Sequence, residues 1–179
     1  MADFNKVLTV GDVSDGKINC VIEIPKGSTN KIEWDRTRAA FMLDRVEPAI
    51  FAKPVNYGFI PQTLDEDGDE LDVLVVTDEP LPTGIWLEAT IVGVLNFEDD
   101  GEMDHKVIAV PADDRHTNNK VKSLADLGER WQQQIEHHFS HYKDLYKPGS
   151  TNVQGWGDVN DAKAIINDCI ERYKTNSSS

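Results

Sequence analysis

Apolar and polar positions change their rhythm about two-thirds of the way along the chain. As far as Pro111, apolar residues come in short runs separated by Pro, Gly and Asp. NCVIEI (19–24) stops at Pro25, and KIEWD (31–35) alternates as a half-buried strand does. AAFMLD (39–44) is a further strand. LDVLVV (71–76) is β-branched and continuous, which predicts a strand covered on both faces. WLEATIVGVLNF (86–97) is long, with Gly93 marking a bulge or corner, and KVIAV (106–110) ends the set. For Asn56-Tyr57-Gly58 a mere turn is the ordinary alternative to a role for Tyr57. Short strands so closely spaced predict a small closed barrel rather than a parallel sheet with crossover helices.

From Ser123 the period becomes helical. Leu124, Leu127, Trp131, Ile135, Phe139 and Tyr142 recur at threes and fours, predicting one amphipathic helix as far as about Lys147. A second helix starts near Asn160, a favourable N-cap, with Ala162, Ile165, Ile166, Cys169, Ile170 and Tyr173 on one side. The tail KTNSSS is expected to fray. The pattern describes one domain over 1–179, mainly β with α (α+β). Its barrel spans about 5–111 and its helical part about 123–175, packed outside.

Composition narrows the function. An apolar content of 39% supports a core, and a net charge of −14 argues against nucleic acid and anionic membranes as partners. An anionic substrate stays open, because bound cations invert a local field. The start MADFNKVLTVGD shows no signal peptide, and no stretch is long enough to cross a bilayer. Cys20 and Cys169 read as idle thiols in a reducing compartment, so a cytoplasmic protein is expected.

The candidate chemistry begins at DEDGDELD (65–72), which holds six carboxylates in eight residues. Asp67-Gly68 makes a solvated turn one reading, but Asp72 lies inside an apolar run, where a lone carboxylate is costly. A calcium loop fits poorly: Glu70 stands where glycine is required and Val76 where the last acidic ligand belongs. A multi-metal enzyme site fits best, because Glu98, Asp99, Asp100, Glu102 and Asp104 form a second acidic cluster. If the hairpin over 86–110 pairs beside the strand from Leu71, both clusters share one barrel end. Two metals roughly 3.5–4 Å apart suit in-line displacement at phosphorus. Phosphate donors would come from Lys31, Arg45, Lys106, Lys143, Tyr57 and Tyr142, each of which also has an ordinary explanation. His137, His138 and His141 lack the H-E-x-x-H arrangement and read as structural or solvated.

These residues resemble one known family. DGDELDVLV (67–75) is similar to the D-G-D-x-x-D-V-L-V signature of the soluble family I inorganic pyrophosphatases of bacterial type. Around it stand VIEIPKGSTNKIEWD (21–35), Asp44-Arg45, PVNYGFIPQTL (54–64), GVLNFEDDGEMDHKVIAVP (93–111), HHFSHYKDL (137–145) and VQGW (153–156). The resemblance implies a five-stranded OB-like barrel and Mg²⁺-dependent hydrolysis of diphosphate to two phosphates. It implies Asp67, Asp72 and Asp104 as ligands of the first ions, with Asp99 and Asp104 for metal arriving with substrate. Glu33 would be a further metal contact, and Asp100 and Glu23 outer acidic residues. Asp69 would be the general base, and Lys31, Arg45, Tyr57, Lys106, Tyr142 and Lys143 the phosphate clamp. Roughly three to four Mg²⁺ ions would act with substrate bound, with Mn²⁺ or Zn²⁺ as substitutes. A homo-oligomer, a hexamer first, is implied as well. The sequence departs from the family where Lys53 replaces a frequent tyrosine and Glu70 a frequent proline. A non-enzymatic divalent-ion binder and an OB-like nucleic-acid module are the alternative functions.

Overall fold

The computed structural model describes residues 3–117 and 119–177. Its elements run in the order α1 (Phe4–Val7), β1 (Lys17–Ile24), β2 (Asn30–Asp35), β3 (Ala40–Val46), β4 (Asn56–Phe59), β5 (Asp72–Val75), β6 (Trp86–Asp99), β7 (Glu102–Met103), β8 (Lys106–Pro111), α2 (Leu124–Leu127), α3 (Glu129–His141), β9 (Thr151–Gly157) and α4 (Val159–Ser177). Five strands close a ring. β1 pairs with β4, β4 with β5, β5 with β8, β8 with β6, and β6 returns to β1. All of these ladders are antiparallel except β5–β8, which is parallel. The expected barrel is thus present as a ring-like sheet.

Three differences from the sequence reading position the site. Asn56-Tyr57-Gly58 is not a turn but most of β4. Its central glycine is forced, because a Cβ there would lie 1.9 Å from the Val21 carbonyl oxygen. Strands β2 and β3 stand off the ring as a separate hairpin. That hairpin is fastened by an aromatic cluster of Phe4, Trp34 and Phe59, with Phe4 and Trp34 ring centroids 4.8 Å apart. The single helix expected over 123–147 is broken at Gly128, whose φ of 82° ends α2, and it stops at Tyr142. Further on, β9 had no expectation at all. α4 is capped by Asp158 rather than Asn160: the Asp158 carboxylate accepts from the amides of Asn160 (2.7 Å) and Asp161 (3.0 Å). The helix runs on through Ser177, so the tail is helical as far as it is described.

Strand β5 is covered on both faces, as its unbroken apolar run requires. Val73 and Val75 pack in a core with Ala162, Ile166 and Cys169 of α4, whereas Leu74 joins Ile135, Phe139 and Tyr142 at the α3 end. As the first residue of β5, Asp72 stands at the mouth of the ring, on the same face of the strand as Leu74. Both cysteines are free and buried. No helix among the described residues is long and apolar enough to cross a membrane.

Candidate active site

The parallel pairing of β5 with β8 sets Asp72 opposite Lys106, which brings the two acidic segments together. The first segment is a tight loop: Gly68 adopts a φ of 92°, and the Asp65 amide bonds the Asp69 carbonyl at 2.7 Å. The second turns at Asp100-Gly101, with positive φ at both residues, so that Asp99 and Glu102 pair across β6 and β7. One cavity of about 530 Å³ lies between these segments, the β2–β3 hairpin and the end of α3. All fourteen residues expected at the site line it: Glu23, Lys31, Glu33, Arg45, Tyr57, Asp67, Asp69, Asp72, Asp99, Asp100, Asp104, Lys106, Tyr142 and Lys143.

Buried Lys106 is the electrostatic centre. Its ammonium binds the carboxylates of both Asp72 and Asp104 and lies 3.1 Å from the Tyr57 hydroxyl, which donates to Asp72. Burial alone would lower the Lys106 pKa, but the two carboxylates outweigh it and raise it. Asp72 is nevertheless pushed up, by burial and by Asp104, against the pull of Lys106. Asp67 is also raised, by burial first and then by Asp104, Asp69 and Asp65. Glu23 accepts from the Trp34 amide at 2.7 Å, yet burial lifts it to about 8. The Tyr57 phenol is raised by burial and then by Asp72, and that of Tyr142 by burial and then by Asp99, so both remain donors.

The other cations face their own acids. Lys143 binds Asp99, to which Tyr142 also donates at 3.0 Å. Lys31 pairs with Glu33 at 2.5 Å, and Arg45 with Asp44 at 2.7 Å. Asp69, expected as the general base, is paired with Arg36 at 2.7 Å. Arg36, Lys53, Glu70, Tyr146 and Lys147 are neighbours of the site that the sequence reading assigned no role there. Lys147, 2.6 Å from Asp100, was hidden by the expectation that the helix continues through it. Asp65 drops out of the acid wall: its side chain is buried against Arg172, 3.4 Å away.

Among the described residues, no three acidic, histidine or cysteine side chains form a finished cation cage. The donor set still fits hard divalent ions. Carboxylate oxygens are the ligands such ions take, and Asp67 and Asp72 are raised by burial first and by neighbouring carboxylates after it, a cost that a bound cation would relieve. His137, His138 and His141 lie on α3 outside this wall, and the His141 ring bonds Asp144 at 2.8 Å.

Known proteins resemble this chain in sequence and in fold. Residues 20–174 match a family model described as inorganic pyrophosphatase. The chain is 64% identical over 173 residues to an inorganic pyrophosphatase of Neisseria meningitidis, covering 97% of this chain and 98% of that one. It is equally similar, over the same shares, to the inorganic pyrophosphatase of Haemophilus influenzae. Its fold is similar to a crystal structure of an inorganic pyrophosphatase from Neisseria gonorrhoeae, with a TM-score of 0.95, 62% identity and coverage of 96% and 99%. It is also similar to that from Thermus thermophilus, with a TM-score of 0.86, 42% identity and coverage of 93% and 97%.

Proposed function

We propose, from the premise that this chain belongs to the inorganic pyrophosphatase family and hydrolyses inorganic diphosphate to two phosphates, that the reaction takes place in this cavity and depends on Mg²⁺. One observation carries the proposal: a cluster of carboxylates and a set of Lys, Arg and Tyr donors line the same cavity.

Asp67, Asp72 and Asp104 would hold the first ions, and Asp99 with Asp104 those that accompany substrate. Glu33 would add a contact, with Asp100 and Glu23 behind. Bound Mg²⁺ would supply charge neutralisation and lower the pKa of a bound water. The protein's own part is donation and positioning. Lys31, Arg45, Lys106 and Lys143 are the cationic donors, and the phenols of Tyr57 and Tyr142 keep their protons to donate to phosphoryl oxygens. Asp69, held by Arg36, accepts the proton of the attacking water. Such catalysis is positioning plus electrostatics, as phosphoryl transfer requires.

Phosphate release from diphosphate tests the metal claim. Release is expected with Mg²⁺ and is expected to stop with excess chelator. Release that continues in chelator would overturn it. The free, buried thiols support a reducing, cytoplasmic setting. Exposed Met42, Leu43, Val46, Ile50, Trp86 and Leu145 support a homo-oligomer, with a hexamer as our reading. Light scattering should return a multiple of 20.1 kDa; a mass of one chain would refute it.

A further inference from the structure

The charge pattern inside the cavity has one exception. Lys31, Arg45, Lys106, Lys143 and Lys147 each pair with at least one carboxylate. Among the described residues, the Lys53 ammonium has no hydrogen-bond or ion-pair partner, although it lines the same cavity. It lies instead against ring faces, 5.0 Å from the centroid of Tyr57, 5.0 Å from that of Tyr142 and 5.9 Å from that of Phe139. Ring faces attract an ammonium without neutralising it. Its backbone is fixed on both sides, with the Lys53 amide on the Ser28 carbonyl at 3.0 Å and the Gly27 amide on the Lys53 carbonyl at 2.8 Å. A side chain anchored this way, recessed and short of a counter-ion, is preorganised for an anion that arrives later.

We propose that Lys53 is a further substrate-binding cation, taking a phosphoryl oxygen at the aromatic end of the cavity. The proposal rests on the reading of this cavity as the diphosphate site. Two of the rings around Lys53 belong to Tyr57 and Tyr142, whose hydroxyls face Asp72 and Asp99, so an oxygen reaching those phenols also comes within reach of the ammonium.

The charge is conditional on pH. Burial, then Lys106 of β8 and Lys31 of β2, push the Lys53 pKa down to about 8, against Asp72 of β5 and Glu47 after β3. His138 of α3 faces the same ammonium and is itself held neutral. In the free protein Lys53 therefore loses its proton as pH rises through about 8, and a bound phosphoryl group favours the protonated form. Affinity for the anion falls on the alkaline side, whereas the rate of the bound complex changes little.

The test compares the full chain with Lys53→Met and Lys53→Arg in Mg²⁺ from pH 6 to 10. It measures KM and kcat for diphosphate by phosphate release and orthophosphate affinity by calorimetry. Lys53→Met should raise KM by about tenfold, change kcat less than about threefold, and weaken orthophosphate in parallel. Lys53→Arg should restore KM and move the alkaline fall of kcat/KM upward, because a guanidinium does not titrate there. If Lys53→Met keeps the parent's KM and phosphate affinity, or Lys53→Arg keeps the parent's alkaline fall, the proposal is wrong. If Lys53→Met does not fold, the Lys53→Arg profile decides alone. A parent that binds orthophosphate through Lys53 without releasing any from diphosphate would overturn the hydrolysis site, not this one.

Discussion

Asp69 is among the most solvent-exposed acids of the cavity, with 75% of its side chain accessible, yet it is held from two directions. Arg36 grips its carboxylate, and its amide donates to Asp67 at 3.0 Å. An exposed ion pair of this kind adds little stability, so its value is orientation. Asp69→Asn keeps the shape and removes the basicity. Turnover at neutral pH should fall by about 100-fold or more, while the Mg²⁺-induced rise in Tm persists. Turnover close to the parent's would remove Asp69 from the base role. The acids and donors around the cavity were readable because motif order names them directly. Arg36 and Lys147 were not readable, because their partners, Asp69 and Asp100, come from distant segments and no local pattern marks the pairing.

At the scale of elements, strands with strong alternation or continuous β-branching were legible, and those built on polar or glycine-rich stretches were not. β9, TNVQGWG, is half exposed and owes its extension to pairing along β6. β4 hides a glycine that only the approach of β1 explains. α3 was legible as an apolar face but not in length. The chain leaves the helix at Tyr142, and the turn that follows brings Lys143 onto Asp99. Helix α3 also carries a pH liability. His138 stacks on Tyr142, 5.8 Å between ring centroids, and burial, with Lys53 nearby, holds its pKa down at about 3. Between pH 6.5 and about 3 the unfolded chain binds a proton that the folded protein refuses, so stability falls as pH falls. The slope from this one group is at most about 1.4 kcal/mol per pH unit. His138→Gln should flatten the acid side of the Tm profile between pH 6.5 and 4 relative to the parent. An unchanged profile would mean that this histidine takes up its proton in the folded state.

For the molecule as a whole, the ring of five strands explains how two acid-rich turns, far apart in sequence, share one mouth. The parallel step from β5 to β8 sets Asp72 beside Lys106, and the β6–β7 turn places Asp99 and Asp100 on the same rim. A net charge of −14 opposes an anionic substrate, and among the described residues Lys106 is the cation paired with both Asp72 and Asp104. The fold class was legible from strand spacing, but the separate β2–β3 hairpin was not, since alternation does not say which sheet a strand joins. The central claim is that these carboxylates gather divalent ions for work on diphosphate. A Mg²⁺ titration of phosphate release, comparing the parent with Asp72→Ala, tests it most directly. The account predicts a Mg²⁺ midpoint raised by about tenfold or more together with a lower maximal rate. A midpoint identical to the parent's would contradict it.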